Sequence, residues 1–313
     1  MKCFKTGSKT YKELSEAEQK QCADFLIAKN PYCALSKIKK GRRALPVSTS
    51  TEADPDWLHP LLDNIEKSTF LSGLRIEVEK FDLRDCCKTT YSTLIEADIP
   101  NILKTCHSGC ENWKTYRKYR LTGSRCYSIF TYSKLDWPNK SLNHFNPKGF
   151  TNKFVQHGVI HEREARECYK SKLGYCVVET GFLICNRYPW LGFSPDGVIF
   201  EEGKPFRLLE IKCPFVGRTK SAAEFFGECD YLELAASGLK LKQNHSYYAQ
   251  VQLGMALLNL RSCDLVLYSS FSKTFLKVVV PFDEVFAKTS IEKISFNYFT
   301  HMIHVICENK RLS

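Results

Sequence analysis

The sequence predicts an α/β fold, of the α+β kind, in which helices flank a mixed central β-sheet. Beyond residue 112, short runs rich in β-branched and aromatic residues alternate with segments of helical periodicity. Between two of those runs, residues 201–205 read Glu-Glu-Gly-Lys-Pro, a composition typical of a tight turn between adjacent strands. Strands interleaved with helices in this way indicate one core, formed by residues 112–313.

The elements of this core can be placed in order along the chain. A helix is predicted at about 112–119, and a second one follows a break at 122–124. Glu162, Ala165 and Tyr169 share one stripe, which predicts a helix at about 158–172. The remaining predicted elements are strands at about 175–184, 197–200 and 206–212, a helix at about 245–260, strands at 264–270 and 274–280, and a C-terminal helix.

The first 111 residues are less regular. Residues 15–18 read Ser-Glu-Ala-Glu, which resembles a capping box and predicts a helical segment within residues 1–35. A basic run at 37–43 and a Pro/Ser/Thr-rich stretch ending near Pro60 indicate a linker, and the basic run also matches a nuclear-targeting patch. We therefore divide the chain into residues 1–60, a mixed segment at 61–111 and the core at 112–313, and the role of residues 1–111 stays open.

Composition is ordinary for a globular protein, with 43% hydrophobic and 25% charged residues and a formal net charge of +11. The N-terminal residues lack the apolar region of a secretory signal, and no apolar run has transmembrane length, so no membrane partner is predicted. The 15 cysteines are odd in number and scattered, which favours reduced thiols in the nucleus or cytoplasm over a secreted disulfide scaffold.

Two Cys/His patterns invite a zinc interpretation. One is Cys106 with His107 and Cys110, and the other is the helical run His301, His304 and Cys307. Neither has Cys-x2-Cys spacing, and each lacks an obvious complement, so a structural zinc site is not predicted. Nor is an iron–sulfur cluster, because Cys307 is the only cysteine near the C-terminus.

The most informative residues are Asp196, Glu210 and Lys212. Asp196 precedes one predicted strand, while Glu210 and Lys212 alternate on the next and therefore face the same side. The turn at 201–205 folds Asp196 back toward them. Two carboxylates beside a cation make a hard-oxygen Mg²⁺ site, which suits phosphodiester hydrolysis by a metal-activated water.

A basic segment lies upstream of these acids. Residues 112–155 contain nine Lys and Arg residues against the single acid Asp136, and the seven Trp, Tyr and Phe residues from Trp113 to Trp137 are interleaved with them. Such a mixture suits a phosphate backbone and exposed bases, although a solvated basic face over core aromatics would look the same.

The spacing Asp-x13-Glu-x-Lys resembles the signature of the PD-(D/E)XK nucleases. The strings Gly-Phe-Ser-Pro-Asp-Gly at 192–197 and Leu-Glu-Ile-Lys-Cys-Pro at 209–214 are similar to the YqaJ-type viral recombinases, a branch that includes lambda exonuclease and is related to the alkaline exonucleases. The resemblance runs from about Trp113 to about Phe282. It implies a restriction-endonuclease-like core.

The resemblance implies further site residues. Glu162, in a Gly-x-x-x-Glu setting, would be an additional metal ligand beside Asp196 and Glu210, and the carbonyl of Ile211 would be another. Gln250, in the run Tyr-x-x-Gln-x-Gln at 247–252, would be the site-facing amide. Lys212 would orient the attacking water or offset charge on the phosphate.

The block Trp113-x3-Arg117-x4-Thr122-Gly123-Ser124 is similar to the family's Trp-x3-Arg … Thr-Ala-Ser block, in which the Arg and Ser clamp a terminal 5′-phosphate. Arg117, Thr122 and Ser124 are therefore the predicted end-phosphate residues, and Gly123 departs from the usual Ala. Two further arginines, Arg120 and Arg125, are candidates for DNA-backbone contact.

These features predict a Mg²⁺-dependent deoxyribonuclease in which Mn²⁺ can substitute, namely a 5′→3′ exonuclease on duplex DNA with free ends. The family implies DNA recombination or processing of viral or mobile-element type, with a single-strand annealing protein as partner. An RNA-degrading nuclease of the same fold and a non-catalytic nucleic-acid-binding protein stay open as alternatives. Rings and monomers both occur among such proteins, so no oligomeric state is predicted.

Overall fold

The computed structural model describes residues 54–147, 149, 151–236 and 238–312, with side chains described as far as Glu308. The helical segment predicted within residues 1–35 and the basic run at 37–43 lie outside these residues. The part from Asp54 onward forms one unit with a continuous hydrophobic core. None of the described helices is long and apolar enough to cross a membrane.

A five-stranded sheet lies at the centre of the fold, in the order β10–β9–β6–β5–β2. Its strands are β2 (Cys176–Val178), β5 (Gly197–Glu201), β6 (Lys204–Lys212), β9 (Ser262–Ser269) and β10 (Thr274–Pro281). The β6–β9 pair is parallel, and the other three pairs are antiparallel. This mixed sheet with flanking helices confirms the predicted fold class.

The predicted turn between β5 and β6 is present and tight. Glu201 pairs with Lys204, and Glu202 and Gly203 between them have φ values of 49° and 74°. Two consecutive residues with positive φ define the turn type whose twist matches that of antiparallel strands. The hairpin therefore fixes the register that places Gly197 opposite Leu209.

Helices cover the sheet and extend the core on the N-terminal side. They are α1 (Leu58–Glu66), α2 (Thr69–Gly73), α3 (Asp85–Ile95), α4 (Ile99–Thr105), α5 (Trp113–Arg117), α6 (Gly123–Phe130), α7 (Trp137–Phe145), α8 (Lys153–Leu173), α9 (Ala222–Phe225), α10 (Ser246–Leu258), α11 (Glu284–Asn297) and α12 (Ile303–Leu312). A π-helical turn at Tyr298–Met302 joins α11 to α12. Buried leucines of α1 to α4 belong to the same hydrophobic cluster as α10, so the 61–111 segment packs on the core.

The single strand predicted at 175–184 is divided between two sheets. After β2 the chain leaves the central sheet, and β3 (Leu183–Ile184) joins a small sheet with β1 (Leu121–Thr122) and β4 (Leu191–Phe193) in the order β1–β4–β3. The reason is backbone contact with α4: the amide of Gly181 donates to Leu103 O at 2.6 Å, and that of Phe182 to Cys106 O at 2.8 Å. A Cβ at Gly181 would lie 2.4 Å from Ile102 O, so only glycine allows this approach.

Helix α8 is fixed to the sheet by a buried polar cluster. Asp264 on β9 is fully buried and accepts a 2.5 Å hydrogen bond from the Tyr169 hydroxyl. Arg207 and Lys277 lie 3.2 and 3.3 Å from its two carboxylate oxygens. Because buried acids are stable only when paired and hydrogen-bonded, this cluster sets the position of α8, and with it Glu162, against the sheet. A β7–β8 hairpin (Leu232–Ala235 and Gly238–Leu241) completes the fold.

Candidate active site

The β5–β6 hairpin brings Asp196 and Glu210 to one end of the central sheet. Asp196 lies directly before β5, and its Oδ2 accepts a 2.7 Å hydrogen bond from the Ile211 amide. That bond ties the loop before β5 to the end of β6. The Asp side chain is therefore held beside the strand that carries Glu210 and Lys212, as the sequence predicted.

Glu210 is the buried centre of the group. Its carboxylate is 1% exposed, and Oε1 lies 2.5 Å from Lys212 Nζ and 2.6 Å from Gln250 Nε2. Gln250 reaches it from α10, while Lys212 Nζ also lies 4.4 Å from the centroid of the Tyr247 ring. The two predicted residues Lys212 and Gln250 thus converge on one carboxylate oxygen.

Glu162 joins the group from α8. Its Oε1 accepts a 2.8 Å hydrogen bond from Arg166, which also donates to Asp196 O at 2.7 Å and pairs with Glu179 at 2.5 Å. From the sequence, only the resemblance to the family pattern distinguishes Glu162 from Glu164 and Glu167 as the metal ligand on this helix. The structure separates them, because Glu164 pairs with Lys273 and Glu167 with Lys170, away from the cleft.

These residues line one open cleft of about 520 Å³. Its charged lining consists of the three carboxylates and Lys212, and its apolar walls include Phe154, Val159 and Phe215. A cleft of this size with a few convergent polar groups is the expected form of a ligand site.

Burial raises the pKa of each carboxyl group, and repulsion from Asp196 adds to the effect at Glu210 and Glu162. For Glu210 the pKa rises to about 8, although the charge and hydrogen bond of Lys212 act in the opposite direction. The pKa of Glu162 rises to about 7 for the same two reasons, and that of Asp196 is also raised, chiefly by burial. For Lys212, burial acts downward, but the Glu210 and Asp196 charges outweigh it and the net pKa shift is upward.

The donor set fits a divalent cation. Glu210 Oε2 is buried and has no hydrogen-bond partner, although its sister oxygen has two. An unpaired buried carboxylate oxygen is costly, and Lys212 and Arg166 do not balance the three acids and Glu179, so excess negative charge remains. A hard cation held by Glu162, Asp196 and Glu210 would satisfy both, since carboxylate oxygens are the ligands that Mg²⁺ prefers.

A second pocket, of about 500 Å³, lies among the residues of α5, β1 and α6. Arg117 lines this pocket: the guanidinium lies 4.1 Å from the Trp113 ring centroid and donates to the hydroxyls of Thr122 and Ser124 at 3.3 and 3.4 Å. Thr122 precedes α6 but makes no capping bond with its side chain. The predicted end-phosphate residues are thus grouped at the start of a helix.

The second pocket is strongly cationic. Burial lowers the pKa of Arg117 to about 10, and the charge of Arg125 adds to the effect. Lys114, Lys118 and Arg125 carry further positive charge, and none of the described residues that line the pocket is an acid. Positive charges that lie close together with no carboxylate among their described neighbours repel one another, and a bound anion would relieve that repulsion.

The two pockets share a wall. Ser194, two residues before Asp196, accepts hydrogen bonds from Trp113 Nε1 at 3.3 Å and Arg117 at 3.4 Å. On the other side, a Cβ built at Gly123 would lie 3.4 Å from Gln250 Cγ, and Gln250 contacts Glu210. The cationic pocket and the carboxylate cleft therefore form adjoining parts of one site.

The Gly123 departure from the family pattern has a packing cause. A Cβ at Gly123 would lie 2.5 Å from the ring of Phe193, and one at Gly254 on α10 would lie 2.4 Å from the same ring. Phe193 is 1% exposed, so its ring cannot move outward. The bulky Phe thus occupies the space that an Ala side chain would need.

The placement of Arg120 contradicts the predicted DNA-backbone contact. Its side chain is 5% exposed and donates to Pro189 O, Tyr116 O and Leu94 O at 2.7–2.8 Å. With its donors directed at backbone carbonyls, Arg120 joins three segments of the core. Arg125 is intermediate: it lines the pocket, but its guanidinium also donates to the carbonyls of Asn143 and His144.

Several residues of the site were not identified from the sequence. Arg166 was missed, although its position four residues after Glu162 on a helix is the usual spacing of an ion pair. Ser194 belongs to the motif at 192–197, but its contact with Arg117 has no signal in the sequence. Gln252 has a structural place, because its amide bridges Pro281 O and the Asp283 amide.

Comparison with known proteins identifies the fold. In solved structures, the chain resembles an alkaline exonuclease, LHK-Exo, from Laribacter hongkongensis, at 21% identity and TM-score 0.50 over 65% of this chain and 97% of that one. It aligns with a phage-related exonuclease from Haemophilus somnus 129PT at 14% identity and TM-score 0.45, over 63% and 99% of the two chains. No curated protein matches significantly. A family model, that of the YqaJ-like viral recombinase domain, matches residues 112–260, which are 149 of the 313 residues.

Proposed function

We propose that this protein is a Mg²⁺-dependent deoxyribonuclease that degrades duplex DNA from free 5′ ends. One observation carries the proposal: a cleft with three carboxylates and a lysine adjoins an arginine pocket whose described lining contains no acid. The match of residues 112–260 to the YqaJ-like viral recombinase model supports a nuclease that acts on DNA. The 12 described cysteines form no disulfide, which supports an intracellular location.

The carboxylates would hold the metal. Glu162, Asp196 and Glu210, together with the carbonyl of Ile211, offer oxygen ligands for Mg²⁺, or for Mn²⁺ in its place. When bound, the ion would supply Lewis-acid stabilisation of the phosphate and a lowered pKa for its water. Arg166 would orient two of the ligands, because it bonds both the Glu162 side chain and the Asp196 carbonyl.

Lys212 and Gln250 would act on water and phosphate. Both donate to Glu210 Oε1 in this structure, so each is free to redirect a hydrogen bond once a metal holds that carboxylate. Lys212 stays protonated near neutral pH because the acids raise its pKa, which suits it to offset negative charge on the scissile phosphate. Gln250 would position the water or a phosphate oxygen.

Arg117, Thr122 and Ser124 would hold the terminal 5′-phosphate. A planar guanidinium and two hydroxyls at a helix N-terminus form a suitable phosphate site. Since this pocket shares its wall with the carboxylate cleft, a 5′-phosphate held there would place a nearby phosphodiester at the metal. That arrangement supports degradation from the 5′ end.

The metal site is tested with variants of the carboxylates. We expect Asp196→Ala or Glu210→Ala to abolish hydrolysis of end-labelled duplex DNA in Mg²⁺, while DNA binding in Ca²⁺ stays near wild type. Loss of a ligand to the ion that both activates water and stabilises charge should reduce the rate by at least about 10²-fold. A matched pair on α8 gives the control: Glu162→Ala should reduce the rate, and Glu164→Ala should not. Turnover by Asp196→Ala or Glu210→Ala above about a tenth of wild type would refute the assignment.

Lys212 is tested separately. Lys212→Ala should lower kcat by about 10²-fold, the usual effect of losing one acid–base or charge-stabilising group, with little change in the Mg²⁺ concentration needed for half-activity. Normal turnover would remove Lys212 from the reaction. The same assays on labelled RNA decide between the deoxyribonuclease and an RNA-degrading nuclease, and a wild type inert on both would point to a non-catalytic binder.

A further inference from the structure

Three cysteines from distant parts of the chain meet at one point. Cys86 and Cys87 lie in the first turn of α3, and Cys307 lies on α12, more than 200 residues later. The three sulfur atoms lie within 4.8 Å of one another. Cys87 and Cys307 are 0% and 2% exposed, whereas Cys86 is partly exposed and provides a path to solvent.

An imidazole lies beside the three sulfurs. His304 Nδ1 is 3.3 Å from Cys87 Sγ. His304 and Cys307 are three residues apart on α12, so both side chains project from the same face of the helix toward α3. His301, by contrast, is stacked on Trp137 at a centroid distance of 4.7 Å and an interplanar angle of 11°. The described residues thus offer three thiols and one imidazole.

The dimensions suit a tetrahedral metal. With Zn–S bonds of about 2.3 Å, the sulfurs of a tetrahedral site lie about 3.8 Å apart, and a nitrogen ligand lies about 3.5 Å from each sulfur. The sulfurs lie within 4.8 Å of one another and His304 Nδ1 lies 3.3 Å from Cys87 Sγ, so the cluster is somewhat more open than a metal-bound site. Metal binding would draw the three sulfurs closer together and turn His304 from its contact with Cys87 toward the other two.

We propose that Cys86, Cys87, His304 and Cys307 bind a structural Zn²⁺. Thiolate and imidazole ligands select Zn²⁺ over Mg²⁺, which prefers the carboxylate oxygens of the cleft. Four protein ligands leave no open position for substrate, which is the mark of a structural site. Three thiolates and a zinc ion carry a net charge of −1.

The position of this site indicates which parts of the fold the metal would join. Helices α3 and α12 both lie outside residues 112–260, one on each side of that domain in sequence. A metal between them would fix the C-terminal helix to the N-terminal helical layer. An Arg84–Glu308 ion pair of 2.8 Å and a Thr90–Cys307 contact of 3.5 Å join the same two helices, but the ion pair is exposed and adds little stability.

The experiment measures metal content in the full chain, purified with reductant and without chelator. Mass spectrometry of the metals should find about one zinc per chain, a stoichiometry that Cys87→Ser and Cys307→Ser reduce at least about tenfold. Cys110→Ser is the matched control and should keep its zinc, because the Cys106–Cys110 pair lies elsewhere with sulfurs 3.5 Å apart. An Asp196→Ala/Glu210→Ala variant should also keep it, which separates this site from the cleft.

A second measurement avoids dependence on variant folding. In the wild type, a mercurial reagent should release the zinc to a chromophoric chelator, and Co²⁺ exchanged into the site should show thiolate-to-cobalt charge-transfer absorption. Chelation should lower the Tm of the wild type and leave that of Cys307→Ser unchanged. Zinc absent from the wild type, zinc equal in wild type and Cys307→Ser, iron in its place, or a Cys87–Cys307 disulfide in the reduced preparation would each overturn the proposal.

Discussion

Arg117, which we propose holds the terminal 5′-phosphate, should lower the stability of the ligand-free protein. We expect Arg117→Met to raise the Tm in the absence of phosphate and to abolish the preference for 5′-phosphorylated ends. Methionine keeps an apolar stem of similar length against Trp113 and removes the charge. The variant would therefore gain stability at the expense of function, as is common when a binding site stores an unpaired charge.

The magnitude follows from the pocket. Burial lowers the pKa of Arg117 from its ordinary value to about 10, which corresponds to about 3 kcal/mol at about 1.4 kcal/mol per tenfold change. Because the folded pKa lies below the unfolded one, the whole cost is present at neutral pH and is relieved only above about pH 10. The stacking on Trp113 and three bonds of 3.3–3.4 Å to hydroxyls offset part of it. A net gain of about 1–2 kcal/mol remains, or roughly 2–5 °C in Tm.

Arg120 is the matched contrast. Burial also lowers its pKa to about 10, so charge burial alone would predict the same gain for Arg120→Met. Its donors, however, satisfy three backbone carbonyls of the core. Each carbonyl left without its donor costs about 1–3 kcal/mol, which exceeds the relief from removing the charge. We expect Arg120→Met to lower the Tm.

The assay combines thermal unfolding with single-turnover cleavage of duplexes that carry a 5′-phosphate or a 5′-hydroxyl. The wild type should cleave the phosphorylated end about 10-fold to 100-fold faster, which is the rate equivalent of one charge-assisted hydrogen-bonding group. Arg117→Met should cleave both at the slower rate. Equal wild-type rates on the two ends, or a Tm that falls in Arg117→Met as it does in Arg120→Met, would refute the reasoning. Efficient cutting of closed circular duplex would exclude an exonuclease.

Three further outcomes are expected. Gly123→Ala should destabilise the protein by about 1–3 kcal/mol, because the added methyl group collides with the Phe193 ring. Adding Phe193→Leu to this variant should recover most of the lost stability. If denaturant unfolding shows that the two substitutions destabilise additively, the packing argument is wrong. Because burial raises the pKa of Glu210 to about 8, Mg²⁺ should displace protons when it binds. Half-activation should therefore need less Mg²⁺ at pH 8.5 than at pH 6.5, roughly in proportion to the deprotonated fraction of Glu210. Calorimetry in two buffers would detect the proton release, and Mg²⁺ binding that does not depend on pH would refute this prediction. DNA affinity should fall with salt by about 0.9 in log K per phosphate contact, and charge reversal of exposed Lys114 and Lys118 should reduce that slope, whereas an unchanged slope would place the DNA elsewhere.

The core of the site was predictable because local rules determine it. Period-two alternation places Glu210 and Lys212 on one face, and the Glu202-Gly203 turn forces β5 to run back along β6. Both features depend only on neighbours in sequence, and so does the helix that carries Glu162. The sequence therefore predicted the sheet class and the grouping of the acids on the hairpin.

What the sequence could not predict depends on distant contacts. Arg120 and Arg117 stand three residues apart in the same basic segment, and only the carbonyls of Pro189 and Leu94 determine that one is structural. The predicted strand at 175–184 divides because α4 offers carbonyls to residues 181 and 182. The other two ligands of the proposed zinc site, Cys86 and Cys87, likewise lie on α3. No spacing rule in the sequence connects them with His304 and Cys307, because the two helices are so far apart in the chain.

The rigidity of the shared wall bears on how the protein would process an end. Ser194 bonds Arg117 and is separated from Asp196 only by a proline, whose ring restricts the backbone between them. Gly123 opens α6 and abuts Gln250 on α10, with Phe193 filling the space between the two helices. The distance from the arginine pocket to the carboxylates is thus set by short backbone connections and a packed aromatic ring. If the arginine pocket binds the 5′ end and the carboxylates bind the metal, the fixed distance between them would set the length of the product. The shared wall would thus determine how many nucleotides are released in each turnover.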